Sequence, residues 1–177
     1  MKTLVLVFGL VIGLGGLLFE QLGFRFNLTP SMPKGLYRIS DAAPERGDLV
    51  TFCLDDPWFA SLARERGYLR PGACPNELEP LLKKLAGTAG DHVYLTRGGV
   101  WLNGDLLPDS QVRFQDSLQR PLPPTALRSG RIPPDMALVM SNGHSGGFDG
   151  RYFGLVPMAT LHKVDAVIVF TPKGEGS

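Results

Sequence analysis

The sequence predicts a mainly β, or all-β, protein with one small helical insertion and an N-terminal membrane helix. Three observations favour this fold class. The 177 residues include 22 Gly and 15 Pro, residues that interrupt helices and mark turns. Short runs rich in Val, Ile and Leu recur between those turns at the length of strands. One long apolar stretch stands near the N-terminus, and the rest of the chain has the length of one domain.

The N-terminal segment indicates the compartment. Lys2 precedes an unbroken apolar stretch at positions 4–19, which Glu20 ends. A helix of about 16 residues is about 24 Å long, short against a hydrocarbon core of roughly 30 Å, so a signal peptide or a short anchor fits. No small-residue cleavage site follows, which favours an uncleaved anchor. We expect residues 1–22 to be the anchor or signal segment and residues 23–177 to form the exported domain.

Charge and histidine placement argue against two classes of protein. The 18 Lys and Arg nearly balance the 17 Asp and Glu, so a net charge of +1 offers no electrostatic footprint for nucleic acid. His144 stands in a glycine-rich loop, where a lone histidine more often faces solvent than binds metal. His92, His144 and His162 lack the accompanying Asp pattern of a catalytic triad. We expect no nucleic-acid partner, no cofactor and no metal.

Cys53 and Cys74 are the only two cysteines. In an exported domain they can form a disulfide, and closing a loop of about twenty residues would stabilise the fold by roughly 3 kcal/mol through loop entropy. Two buried thiols or a catalytic cysteine are the alternatives, although no histidine lies near either residue in sequence. The bridge is the prediction.

The elements after the anchor follow from turn residues and apolar alternation. A link at 21–28 leads into a segment that Pro30 and Pro33 hold extended. An Asp-Asp-Pro run ending at Pro57 is typical of a helix start, which predicts a helix from about Asp56 to Gly67. Strands are predicted at 36–39, 48–53, 81–86, 136–140 and 164–170, with a hairpin over 91–102 that turns at 98–99 and a second turn at 103–104. Residues 107–134 and 141–154 are predicted to be mostly loop.

Four segments, in chain order, form a set that carries chemistry. Thr29-Pro30-Ser31-Met32-Pro33 follows the apolar stretch closely, and Gly47-Asp48-Leu49-Val50 comes next. Positions 82–91 read LKKLAGTAGD, similar to a Lys-Arg-x-x-Gly-x-Pro-Gly-Asp box, and positions 149–154 read DGRYFG, similar to Asp-Ser-Arg-Tyr-Trp-Gly. Each segment alone would be weak, but all four in order resemble the boxes of the type I signal peptidase family, which uses a Ser/Lys pair.

Within that family the chain is most similar to the conjugative-transfer peptidases of the TraF type, through its length, the SMPKGLYR run at 31–38 and the cysteine-bracketed insertion. The resemblance implies a coiled β-sheet catalytic domain in the periplasm of a bacterium, held at the cytoplasmic (inner) membrane, with a pilin precursor as substrate. Three positions depart from the family: Ala89 replaces a Pro, Gly150 replaces a Ser, and Gly147 stands where general signal peptidases have a Ser that helps hold the lysine. We therefore expect Ser145 or a backbone carbonyl to hold the lysine instead.

Ser31 is the predicted nucleophile and Lys83 its general base. A serine hydroxyl needs a base to remove its proton, and a lysine can act only when neutral, so burial must lower its pKa from about 10.4 by several units. On a strand, Leu81, Lys83 and Leu85 share one face while Lys84 points away, which favours Lys83 modestly. An ordinary pair of lysines on a solvated strand is the alternative.

Supporting roles are assigned by the resemblance and by electrostatics. The Ser31 backbone N–H and the Thr29 hydroxyl are expected to stabilise the oxyanion, although Thr29 can instead cap a turn. Asp149 and Arg151 form either a catalytic support pair or a structural ion pair. An orienting role for them is favoured, because a carboxylate too close to Lys83 would raise the lysine pKa.

The predicted reaction is cleavage of a peptide bond through an acyl-enzyme on Ser31. Water resolves such an intermediate, or, as the TraF resemblance implies, the amine of the substrate's own N-terminus resolves it and leaves a cyclic product. Two rival functions stay open: a general signal peptidase for exported preproteins, and a non-enzymatic assembly factor of a transfer or secretion channel. The expected partners are a pilin or preprotein substrate and the cytoplasmic membrane, and the sequence does not determine the oligomeric state.

Overall fold

The structure is a computed structural model that describes residues 22–29, 31–141 and 144–170. It confirms the mainly β class. The strands are β1 (Phe24–Asn27), β2 (Gly35–Ile39), β3 (Leu49–Phe52), β4 (Leu81–Gly87), β5 (His92–Thr96), β6 (Gly99–Leu102), β7 (Asp105–Leu106), β8 (Gly130–Arg131), β9 (Met136–Met140), β10 (Val156–Pro157) and β11 (His162–Val169). The helices are α1 (Pro57–Arg66) and α2 (Gly150–Phe153), with a 3-10 turn at Met158–Thr160.

The strands form two antiparallel sheets, and strand β9 contributes side chains to two hydrophobic core clusters. The larger sheet has the order β1-β2-β11-β3-β4-β9-β10, and the smaller has the order β7-β6-β5-β8. In β9, Ala137 and Val139 belong to the core cluster that includes α1, whereas Leu138 and Met140 belong to the cluster beneath the small sheet. Successive strand residues point to opposite faces, so a strand covered on both sides must be apolar throughout. That is the physical reason for the unbroken run at 136–140.

The cysteine-bracketed insertion forms the predicted helix. The Asp56 carboxylate accepts hydrogen bonds from the first backbone N–H groups of α1, proline occupies the first turn, and Gly67 ends the helix in the left-handed region at φ 68°. The structure contains the Cys53–Cys74 disulfide, which closes the insertion onto the end of β3. Local sequence signals therefore determine this element.

Several short elements lie where the sequence indicated no regular structure, and two of them bear on the site. The predicted link at 21–28 contains β1, which pairs with β2 from Phe24 opposite Arg38 to Asn27 opposite Gly35. The predicted glycine-rich loop contains α2. Both elements are too short for a periodic signal, and β1 becomes a strand only because a partner strand lies beside it.

Residues 1–21 of the predicted anchor at 1–22 lie outside the described residues, as does Pro30. Among the residues that the structure does describe, no helix has the length and apolar character needed to cross a bilayer.

Candidate active site

Lys83 lies near the middle of the larger sheet. Its strand β4 runs between β3 and β9, and Val50 of β3 stands directly opposite Lys83. Leu81, Lys83 and Leu85 are buried on one face, while Lys84 on the other face is half-buried. The predicted register is confirmed: Lys83 points into the core and its neighbour does not.

Burial sets the protonation of Lys83. The residue is only 4% exposed, and this desolvation lowers the pKa of its ammonium group to about 8. The Asp149 carboxylate opposes the shift by favouring the charged amine, while the Arg151 guanidinium acts in the same direction as burial. An amine with a pKa of about 8 is about one-tenth neutral at pH 7, enough to supply a base without further activation.

Ser31 lies in the turn between β1 and β2 and is half-buried. The Thr29 Oγ1 and Ser31 Oγ atoms are 3.1 Å apart, and the Thr29 hydroxyl donates to Asn27 Oδ1 at 2.7 Å. A hydroxyl has one proton to donate, so Ser31 is the donor in its contact with Thr29. The Ser31 hydroxyl is thus held at one end of a short chain of hydrogen bonds.

Asn27 anchors that turn, and sequence reasoning missed it. Its side-chain Nδ2 donates to the carbonyl oxygens of Thr29 at 3.2 Å, Met32 at 3.1 Å and Pro33 at 3.0 Å. The Tyr37 hydroxyl also donates to the Pro33 carbonyl, at 2.6 Å. The available signal was an Asn just before a proline-bounded segment, because Asn side chains often organise turns. Burial of Asn27, at 7% exposure, shows that the turn is built on it.

One cleft of about 770 Å³ joins the two halves of the predicted site. Thr29, Ser31, Lys83 and Ser145 all line it. Within the described residues no hydrogen bond joins Ser31 to Lys83, and the hydrogen bond of the Ser31 hydroxyl is to Thr29. Contacts to a general base often tighten only when substrate is bound. The arrangement brings a serine hydroxyl and a desolvated amine to the wall of a single cavity.

Asp149 and Arg151 form a fully buried ion pair behind the cleft. Arg151 Nε lies 2.8 Å and Nη2 2.9 Å from the two Asp149 carboxylate oxygens, and both side chains are 0% exposed. Asp149 also caps α2 and accepts from the Ser141 backbone N–H at 2.9 Å. Arg151 Nη1 donates to the Gln111 and Ser145 carbonyls, each at 3.0 Å. The pair therefore ties together the three segments that contain Gln111, Ser141 and Ser145.

Ser145 and His144 differ from their expected surroundings. The Ser145 hydroxyl accepts from Arg113 Nη2 at 2.6 Å and has no bond to Lys83. His144, expected to face solvent, is half-buried and lines the cleft, and the carbonyl of the next residue accepts from Arg151. Across residues 22–29, 31–141 and 144–170, no three His, Cys, Asp or Glu side chains gather into a metal-binding group.

Comparison with known proteins places this arrangement in a family. The sequence profile described as "Signal peptidase, peptidase S26" matches residues 1–170. The chain belongs to the S26 signal peptidase family. The family inferred from the sequence boxes is thereby confirmed.

The TraF resemblance is also confirmed by relatives of this S26 chain. A plasmid transfer protein TraF from Escherichia coli is 40% identical over 134 residues, which cover 76% of each chain. A probable conjugal transfer protein TraF from Sinorhizobium fredii is 39% identical over 155 residues, 85% of this chain and 79% of that protein. Together with the family, these relatives support a peptidase-type function in conjugative transfer.

One solved S26 structure is more distant. A signal peptidase I from Enterococcus faecalis is 20% identical, with 75% of this chain and 100% of that chain covered and a TM-score of 0.37. A superposition this loose carries no argument about the site.

Proposed function

We propose that this protein is a membrane-bound serine endopeptidase that processes a pilin precursor in a conjugative transfer system, with Ser31 as nucleophile and Lys83 as general base. The observation that carries the proposal is the burial of Lys83. Burial lowers the pKa of its amine to about 8, and the amine lines the same cleft as the Ser31 hydroxyl. A solvated lysine could not serve as a base near neutral pH.

The chemistry runs in two halves. Ser31 Oγ attacks the scissile carbonyl carbon while Lys83 Nζ takes the hydroxyl proton, and the ammonium so formed then protonates the departing amine. The product is an ester between Ser31 and the substrate. Water, or the substrate's own N-terminal amine, then attacks this ester, and Lys83 removes the proton from that second nucleophile. The bond between Ser31 Oγ and the acyl carbon breaks, and the Lys83 ammonium returns the proton to Ser31 Oγ.

The oxyanion that forms in each half needs fixed donors. The Ser31 backbone N–H and the Thr29 hydroxyl are the proposed donors. Because the Thr29 hydroxyl donates to Asn27 Oδ1 in this structure, it must turn toward the substrate when the oxyanion forms. Asn27 fixes the Thr29 backbone, so only the hydroxyl rotation changes.

The Asp149–Arg151 pair supports Lys83 from behind. A lone buried carboxylate would stabilise the ammonium form of Lys83 and weaken the base. Arg151 offsets that effect, as the opposite directions of the two influences on the Lys83 pKa indicate. We assign the pair an orienting role for this reason.

The test compares the full-length protein in membranes with two serine variants. Ser31→Ala removes only a small hydroxyl, so the variant is expected to stay folded and to lose processing of a co-expressed pilin precursor. Ser117→Ala, which removes an exposed serine from the same cleft, is the matched control and is expected to process normally.

Mass spectrometry of the pilin distinguishes the routes, since a cyclic product lacks one water relative to the hydrolysed one. Processing by Ser31→Ala at the wild-type rate would end the proposal. Cleavage of an ordinary exported preprotein in place of the pilin would favour the general signal peptidase instead.

A further inference from the structure

Ser141 has a buried hydroxyl that the mechanism above does not use. The residue is 6% exposed and follows the last residue of β9. Its Oγ is buried and has no hydrogen-bond partner within the described part of the chain. Buried hydroxyl groups are bonded in the large majority of cases, so an orphan beside a proposed active site calls for a physical reason.

The sheet register places Ser141 beside the general base. In the antiparallel pair of β4 and β9, Lys84 stands opposite Met140. β9 ends at Met140, and extending the same register by one residue places Ser141 opposite Lys83. Side chains of directly opposed residues project to the same face with Cβ atoms about 5 Å apart. Lys83 therefore lies between Val50 on one neighbouring strand and Ser141 on the other.

We propose that the Ser141 hydroxyl is a positioning group that accepts a hydrogen bond from the Lys83 amine during the reaction. This inference rests on the proposed role of Lys83. A neutral lysine amine has two N–H groups and one lone pair, and only the lone pair can take the Ser31 proton. When one N–H donates to Ser141, the rotation of the amine is restricted and the lone pair can be held toward Ser31. The same oxygen accepts from the ammonium that the proton transfer creates.

The backbone of Ser141 is fixed for this task. Its N–H donates to Asp149 Oδ2 at 2.9 Å, and that carboxylate is locked by Arg151. The buried ion pair thus acts on the base in a second way. Asp149 fixes the backbone of Ser141, just beyond the end of β9, and so fixes the position of the Ser141 hydroxyl. Asp149 therefore orients Lys83 through Ser141.

Gly147 is the structural counterpart of Ser141. A Cβ atom at position 147 would lie 2.0 Å from Ser141 Oγ and 2.4 Å from Ser141 Cβ, so the serine side chain requires a glycine there. The two positions compete for one volume. A serine at 147 with a glycine at 141 would put a hydroxyl into that volume, with Asp149 Oδ2 as the next atom at 3.2 Å. The backbone of Gly147 can accommodate a serine because its φ is not positive.

The exchange gives a matched set of variants in the full-length protein. Ser141→Gly is expected to lower kcat about 10- to 100-fold with little change in KM, the loss typical of removing a group that orients a catalytic one. Gly147→Ser alone is also expected to lose activity, through the clash. The double variant Ser141→Gly/Gly147→Ser is expected to recover most of kcat, whereas Ser141→Gly/Gly147→Ala fills the same space without a hydroxyl and is expected to stay low.

A second measurement does not depend on peptidase activity. In a Ser31→Ala background, lysine labelled with 13C at Cε reports the Lys83 signal by NMR. Ser141→Gly is expected to shift that signal, the Gly147→Ser partner to return it toward its original position, and the Gly147→Ala partner to leave it shifted. These spectra test the contact between the Ser141 hydroxyl and the Lys83 amine independently of catalysis. They remain informative if Ser31→Ala proves active and the proposed function is wrong.

Two results would overturn the inference. One is full activity and an unshifted Lys83 signal in Ser141→Gly. The other is equal recovery by Gly147→Ser and Gly147→Ala, which would show that filled space matters and the hydroxyl does not.

Discussion

The turn that carries Ser31 and the strand that carries Lys83 are positioned by opposite kinds of interaction. Polar contacts hold the turn: one Asn27 side chain bonds the Thr29, Met32 and Pro33 carbonyls. The strand β4 is held by apolar burial and by ladders to β3 and β9 on both sides. Residues of both regions line the cleft.

The difference fits the role that each group has in the proposed reaction. A nucleophile has to meet the substrate, so its segment stays at the edge of the sheet, where hydrogen bonds can fix it without covering it. A lysine base has to be kept from water, because solvation would restore its positive charge. The centre of a sheet supplies that environment.

The largest expected effect separates the two adjacent lysines. Lys83→Arg is expected to abolish processing, since a guanidinium stays protonated at any working pH and cannot accept the Ser31 proton. Lys84→Arg should leave processing near the wild-type level, because Lys84 lies on the other face of β4. Pilin processing in membranes measures both. If Lys84→Arg is inactive and Lys83→Arg processes the pilin normally, the general base is Lys84 and not Lys83.

Loss of the polar support is expected to have the next largest effect. Asn27→Ala removes the bonds of the Asn27 amide to the Thr29, Met32 and Pro33 carbonyls and to the Thr29 hydroxyl, and leaves the Tyr37 bond to the Pro33 carbonyl and the Thr29–Ser31 contact. Misplacing a nucleophile by about 1 Å costs on the order of 100-fold in rate. Asn76→Ala, which removes a half-buried amide that donates to the Leu54 carbonyl away from the cleft, is the control. Rates of peptide cleavage and thermal unfolding are measured for both. Wild-type kcat in Asn27→Ala would show that the turn holds Ser31 without it.

A smaller effect is expected from weakening the apolar support. Activity of the wild type should rise with pH through the Lys83 pKa of about 8, because the neutral amine is the active form. Val50→Thr keeps the shape of the side chain opposite Lys83 and adds a hydroxyl, which stabilises the ammonium and raises the lysine pKa. The acid limb of the pH profile should therefore move to higher pH, and activity at pH 7 should fall severalfold.

The same substitution in the other core cluster controls for lost stability. Val93→Thr introduces a hydroxyl beneath the small sheet, where no residue of the proposed site packs. It is expected to lower the melting temperature without moving the pH profile. Identical profiles for Val50→Thr and the wild type would argue that burial beside Val50 does not set the base.

The smallest effect on activity is expected at the disulfide, which lies outside both regions. Cys53 and Cys74 should be bridged in the exported protein, and replacing both by serine should lower the free energy of unfolding by about 3 kcal/mol with the pH profile unchanged. Alkylation under denaturing, non-reducing conditions followed by mass spectrometry checks the bridge. Two freely alkylated thiols would contradict it.

Local and alternating patterns in the sequence determined several features by themselves. The Asp-Pro start and Gly67 end of α1 were recognisable because capping groups act within one turn of the helix. The inward direction of Lys83 was recognisable because strand residues alternate with a period of two, so its apolar neighbours at 81 and 85 marked the buried face. The order of the signal peptidase boxes indicated the family.

Only the tertiary structure decided which distant groups meet. The segment containing β1 carries no periodic signal and becomes a strand through pairing with β2, which in turn buries Asn27 within the nucleophile turn. The position of Ser141 beside Lys83 depends on the register between β4 and β9, strands separated by a whole second sheet in the chain. Register is a property of two strands together, and a one-residue slip would turn Ser141 to the opposite face. For that reason neither Asn27 nor Ser141 was recognisable from residue type and spacing alone.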